Sequence, residues 1–373
     1  MTEAAAGAGK PPVKDERLKN VSVLTKLMRR PELGSVAGLI LVLLFFALTA
    51  NKSMFTLAGF MTVMNPASQL GILAIAVALL MIGGEFDLSI GSMVAFIGLI
   101  MGAFVVTIGI PADISIILTF VVAAVLGMIN GQMVIRTRLP SFIVTLAGFF
   151  VFRGLTLVGL KLATGGSTQL RGIADAAEGG YLTRFFSGNA LSGLFTWLAE
   201  KGITDKLPDS TPQVPGIPVS IVWFFIFSSV ATWILLWTRG GNWVFASGGD
   251  ANAARNSGVP VDGVKTTLFM LTALAAAVVA ILTVFDAGST DARRGVQKEF
   301  EAIISSVIGG CLLTGGYGSA IGASIGAIIF GVVEIGLTYT TFDSDWFLVF
   351  LGGMLLIAVL FNNYIRKRVT GER

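Results

Sequence analysis

Few residues of this chain could do chemistry, and they lie at a handful of places. Glu85 and Asp87 fall within Gly83-Gly84-Glu85-Phe86-Asp87-Leu88-Ser89-Ile90-Gly91-Ser92, beside long apolar stretches. Carboxylates inside a membrane are costly and often carry protons or cations. The plainer reading makes Asp87 the N-cap of a following helix, its oxygens accepting from free N–H groups near the positive end of the dipole. Arg153 lies well inside an apolar run, where its guanidinium either snorkels to an interface or donates to a polyhydroxylated solute on a translocation path. Asp286 and Glu334 stand toward the ends of apolar runs, and interfacial solvation accounts for them better than ion coupling. There is no histidine, which removes His-based triads, imidazole metal sites and histidine relays. The single Cys311 can form neither an intramolecular disulfide nor a zinc cluster. No Gly-x-x-x-x-Gly-Lys-[Ser/Thr] loop is present to hold a nucleotide. No catalytic residue, metal or cofactor is therefore expected on this chain.

The elements that position these groups are set by composition. Of 373 residues, 54% are hydrophobic and 13% charged, with mean hydropathy +0.83. A soluble domain carries about 25% charged residues, so an all-α integral membrane protein is expected. Ten apolar runs meet the roughly 20-residue requirement of a spanning helix or approach it: 34–50, 57–82, 88–108, 112–131, 140–160, 219–237, 264–287, 301–316, 318–338 and 346–363. The first reads as an uncleaved span, because Asn51-Lys52-Ser53 offers no small-residue cleavage site. Polar tails at 1–33 and 364–373 flank a polytopic membrane body over 34–363. A short amphipathic helix is expected at 191–197, inside the long connection 161–218. Trp223, Trp233, Trp237, Trp243 and Trp346 mark run ends, as in an aromatic belt.

Lys and Arg set orientation. With both termini inside, the inside segments hold 16 of them and the outside segments 9, five of these in 161–218. Both termini are therefore expected in the cytoplasm, with 161–218 outside. The net charge of +4 reads as topology and not as a nucleic-acid surface.

Two glycine breaks interrupt the pattern: Gly83 to Ser92, and Gly315-Gly316-Tyr317-Gly318-Ser319-Ala320-Ile321-Gly322. Each has a glycine pair followed by Ile-Gly. Glycine interruptions at matching places in two halves point to a transporter's binding region, whereas tight turns that let helices pack closely are the bland alternative. Candidate residues of a substrate path are Gly83, Gly84, Asp87, Ser89, Gly91, Arg153, Gly315 and Gly316. Between 238 and 263, Asp250 is a good N-cap for a brief helix over 251–256 that Ser257-Gly258 stops and Pro260 cannot continue. It could fit a partner's cleft or simply connect two spans.

The run 245–265 resembles the cytoplasmic coupling loop of permease subunits from ABC importers, in particular the branched-chain amino acid/ribose–xylose–arabinose permease family. Asn130-Gly131, Leu139-Pro140-Ser141-Phe142 and Phe152-Arg153-Gly154-Leu155-Thr156 fit the same family. So do the Gly83–Ser92 region and Ile308-Gly309-Gly310 through Gly322 and Gly326, all in family order across about 57–365. The resemblance implies a permease for a monosaccharide in the bacterial inner membrane, with partners on separate chains: cytoplasmic ATPase subunits, a periplasmic sugar-binding protein and a second permease copy, with lipid around them. Carried over by position, Asp250, Ala251, Ala253, Ala254, Arg255, Ser257 and Gly258 form the element that docks into the ATPase. The loops 161–218, 288–300 and 339–345 would face the binding protein. Three departures leave the substrate open. Loop 161–218 is longer than in ribose-type members, which points toward a xylose-like branch. Asp291-Ala292-Arg293-Arg294-Gly295 is more charged than usual, and Glu85-Phe86 adds a residue to the first break. A nucleoside or polyol permease and an ion-coupled secondary transporter remain the alternatives.

Overall fold

The computed structural model describes residues 32–370; the tail expected at 1–33 and the last residues of the tail at 364–373 lie largely outside them. In chain order the helices begin with α1 (Glu32–Thr49), α2 (Leu57–Ile82) and α3 (Ile90–Gly102), which a π-turn extends over Ala103–Thr107. Next come α4 (Ala112–Thr137), α5 (Ser141–Thr164), strand β1 (Gln169–Arg171) and the one-turn α6 (Ile173–Ala176). Strand β2 (Asn189–Ala190) precedes α7 (Ser192–Glu200), β3 (Ile217–Pro218) and α8 (Val219–Trp237). The second half continues with α9 (Arg239–Gly249), α10 (Ala251–Asn256), α11 (Val261–Ala287) and β4 (Ser289–Asp291). It closes with α12 (Lys298–Ile308), α13 (Ala320–Thr338) and α14 (Trp346–Thr370).

Eight of these helices are long and apolar enough to cross a membrane, and α14 opens with a shorter apolar stretch. The run expected at 301–316 differs: it is helical only as far as Ile308. Eleven residues in α12 rise about 16 Å, half of a hydrocarbon core.

Helices α2 and α11 form the centre. Every residue of α2 from Leu70 to Ile82 is buried, as are Ala275 to Leu282 of α11. The alanine-rich face of α11 lets α4 approach closely: a side chain at Gly127 would meet Met270 Cα at 2.7 Å. The neighbours repeat. Helix α2 packs on α12 and α13, and α11 packs on α3 and α4; α3 packs on α5, and α12 on α14. The start of α11 lies beside the end of α2, where Gly83 abuts Leu268, so the two central helices run in opposite directions. The chain thus contains an inverted repeat, α2–α5 against α11–α14. This corrects the matching expected from sequence. The counterpart of the stretch 83–89 is the 288–297 stretch between α11 and α12, not the glycine break before α13.

The two counterpart stretches enter the bundle from opposite ends and meet. A side chain at Gly91 would overlap the Glu299 carboxylate and lie 3.0 Å from the Glu299 nitrogen. The N-terminal turns of α3 and α12 therefore converge in the interior. Their non-helical approaches need partners for every backbone group. In the first, Phe86 N donates to Ser141 Oγ and Leu88 N to Thr145 Oγ1, each 3.0 Å, one turn apart on α5. In the second, Arg153 of α5 donates to the carbonyls of Ala292 and Arg294 at 3.2 and 3.0 Å. Arg294 in turn donates to the carbonyls of Thr283 and Ser289.

The long connection 161–218 folds onto the bundle. Strand β1 pairs antiparallel with β4, and β2 with β3. Asp113 accepts from the nitrogens of Tyr181 and Leu182 at 3.0 and 2.8 Å. The short amphipathic helix expected at 191–197 is α7. Trp223 stacks on Phe186 and donates to the Phe185 carbonyl, so it anchors this connection to α8.

Replacing Thr145 with Val keeps the shape but strands the Leu88 N–H. A loss of about 1–3 kcal/mol is expected, read as a lowered thermal unfolding midpoint in detergent, with Thr145→Ser retaining most of the wild-type value.

Candidate functional site

The segment between α8 and α11 contains the helix expected at 251–256, and one more. Asp250 Oδ1 accepts from the nitrogens of Asn252 and Ala253 at 2.9 and 3.0 Å, capping α10. Gly258, at φ +84°, ends it, and Val259 N bonds back to the Ala254 carbonyl. Asn252, Ala253, Arg255, Ser257 and Gly258 are exposed and Ala251 is half-buried, whereas Ala254 is buried against the body. Ala254 therefore seats the helix and does not present itself to a partner, contrary to its expected role. The preceding α9 is unexpected from its glycine-rich sequence. Its signal was Thr238, whose hydroxyl accepts from Gly241 N at 3.2 Å in an N-cap.

Helix α9 ends in Gly248-Gly249, and these glycines bring the two sequence breaks together. A side chain at Gly84 would meet Gly248 Cα at 3.2 Å. One at Gly315 would meet Gly84 Cα and the Gly248 carbonyl oxygen, each at 2.8 Å; one at Gly316 would meet Gly249 Cα at 2.9 Å. A side chain at Gly248 itself would overlap the Ile82 carbonyl, the acceptor of Gly316 N at 2.8 Å. Gly84, Gly315 and Gly316 also take positive φ. Backbone thus meets backbone at a three-way junction of α2, α9 and the approach to α13. Gly83 borders it, packed on Leu268. Of the candidates for a substrate path, Gly83, Gly84, Gly315 and Gly316 are brought together here.

Asp87, Ser89 and Gly91 lie deeper. Asp87 is fully buried; Oδ1 accepts from Ser89 N and Oγ at 2.8 and 2.6 Å, and Oδ2 from Thr272 Oγ1 at 2.9 Å. Asn130 Nδ2 completes the cluster by donating to Ser89 Oγ at 3.0 Å. Asp87 is therefore not the cap of α3: Ser89 holds that position, and no side chain accepts from the first turn. Its role is to tie the break to α11. Arg153 does not snorkel. It is half-buried over the Phe149 ring and holds the carbonyls between β4 and α12. Glu85 pairs with Lys265 at the start of α11. No cluster of three metal-ligating side chains occurs among the described residues.

Sequence reasoning missed Ser141, Thr145, Thr272, Gly248 and Lys265. Ser141 and Thr145 are four apart, the spacing of one helix face; for the others only long-range contact reveals the role.

Residues 59–359 match the family model described as branched-chain amino acid transport system / permease component. The chain is similar to the xylose transport system permease protein of Escherichia coli (strain K12), 28% identical over 362 residues that cover 89% of this chain and 92% of the relative. The xylose transport system permease protein of Haemophilus influenzae is 27% identical, with 95% and 100% covered. The ribose import permease protein of Escherichia coli (strain K12) is 29% identical, with 87% and 91% covered. No solved structure matches.

Gly248→Ala should force the junction apart and lower stability by about 1–3 kcal/mol. Gly249→Ala, whose methyl meets nothing within 4 Å, should leave the unfolding midpoint of the detergent-solubilised protein unchanged.

Proposed function

The chain belongs to the branched-chain amino acid transport system / permease component family, and on that premise we propose that it is the membrane subunit of an ABC importer for a monosaccharide. The similarity to xylose and ribose permeases over nine-tenths of the chain carries this reading. ATP hydrolysis then belongs to separate cytoplasmic ATPase subunits, and a periplasmic binding protein delivers the sugar. The chain sits as a multi-pass protein in the bacterial inner membrane, both termini cytoplasmic, an orientation the Lys/Arg bias supports, and works as a homodimer.

Helix α10 is the proposed docking element. Its capped, short form is seated on the bundle by Ala254 and presents Ala253, Ser257 and Gly258 outward. Displacement of α10 reaches α9 directly, through Asp250, and α9 ends in the glycine junction. With no side chains between them, the approach to α13 and the end of α2 have little slack, so motion at α10 is passed to both. Rocking of the bundle would open a path alternately to either side, and α3 and α12, whose interrupted approaches meet in the interior, are the segments whose parting changes it most. Selectivity then rests largely with the binding protein. Two of the acids that an ion-coupled transporter could use are engaged structurally: Glu85 by Lys265, and Asp87 by Ser89 and Thr272.

Ala253→Arg adds bulk on the exposed face of α10 without touching the body. It should reduce co-purification of the ATPase by about tenfold, a typical loss at an interface centre, and abolish ATP-driven uptake of labelled xylose and ribose in liposomes, with the unfolding midpoint unchanged. Uptake that needs no ATPase and collapses with an ionophore would overturn the reading; ATP-driven uptake of a nucleoside or polyol alone would redirect the substrate.

A further inference from the structure

A cavity of about 660 Å³ opens between α10, the end of α4 and the start of α11. Its wall carries three cations, Arg138, Arg255 and Lys265, against two acids, Glu85 and Asp262. Lys265 pairs with Glu85, and Arg255 with Asp262 at 2.6 Å. Arg138, exposed in the left-handed region at φ 57° as the C-cap of α4, has no acid partner among the described residues. The wall thus holds one uncompensated positive charge. Asn252 adds an amide from α10.

We propose that this cavity binds a phosphate-bearing anion, and that the source is the headgroup of an anionic phospholipid. Charge and surroundings both select the source. A phosphodiester carries one negative charge, matching the single excess cation, whereas a free phosphate or phosphomonoester carries about −1.5 to −2 at neutral pH. The remaining wall is apolar: Val134, Ile135 and Leu139. Beside it Met133, Phe142 and Ile143 are exposed on α4 and α5, side chains suited to acyl chains. Basic pockets between helices at the cytoplasmic side take anionic headgroups in this way; that the cavity faces the cytoplasm rests on the orientation proposed above. Because Asn252 and Arg255 belong to α10, an anion bound here would brace that helix from the side facing the bundle.

The test is native mass spectrometry of the full-length permease from nanodiscs of phosphatidylcholine with added phosphatidylglycerol. The wild type should retain one phosphatidylglycerol per chain. Arg138→Gln should weaken retention by about fivefold, the effect of one surface cation on an anionic lipid. Arg136→Gln, which removes a nearby exposed cation that does not line the cavity, should leave retention unchanged. Equal retention by the wild type and Arg138→Gln, or equal loss in both variants, would overturn the site. Displacement of the lipid by millimolar inorganic phosphate at equal occupancy would overturn the lipid as source. None of these outcomes bears on whether the ATPase binds α10, which the Ala253→Arg comparison reads separately.

Discussion

Every backbone N–H and C=O inside a membrane protein must find a partner within the protein, and most of this fold follows from how that demand is met where helix is absent. Ordinary spans meet it alone. The stretches before α3 and α12 cannot, so they borrow from a neighbour. Helix α5 serves both: Ser141 and Thr145 near its start accept from the first stretch, and Arg153, two turns beyond Thr145, donates to the second. One helix thus fixes the two non-helical approaches from opposite ends, which is why its few polar residues lie along so much of its length.

The same demand explains the placement of the acids. A carboxylate buried without partners would cost several kcal/mol. Asp87 accepts from two hydroxyls and a backbone nitrogen, on both sides of the α3–α11 contact. Glu299 lies where the N-terminal turns of α3 and α12 converge, its carboxylate held against Gly91. Read from sequence, acids among apolar residues suggest ion carriage; in the fold Asp87 joins segments that hydrophobic contact alone would let slide.

Glycine does the converse at the other end of the break. Side chains give packing some tolerance, since rotamers adjust, while direct backbone contact gives almost none. The junction of Gly84, Gly248, Gly315 and Gly316 is therefore a stiff link between α9 and the two central regions. In the proposed importer it lies between the ATPase-facing α10 and the helices that would have to part, a position where stiffness serves coupling better than adhesion would.

The sequence by itself determined the class, the family resemblance and most of the spans, because hydropathy over twenty residues is a local quantity that survives any packing. It also determined α10 to the residue, since Asp250, Ser257-Gly258 and Pro260 are local start and stop signals. It identified both glycine breaks but paired them as counterparts, when they are in fact neighbours: what resembles Gly83-Gly84 in composition is not what corresponds to it in the repeat. Only the tertiary structure decided that the counterpart is the 288–297 stretch, that α12 stops at Ile308, and that Gly248 joins the breaks. It also decided that Arg153 turns inward to carbonyls and that Glu85 pairs with a lysine 180 residues away. Each of these is a contact between segments remote in sequence, and residue type states what a group can bond, not which distant group will be there.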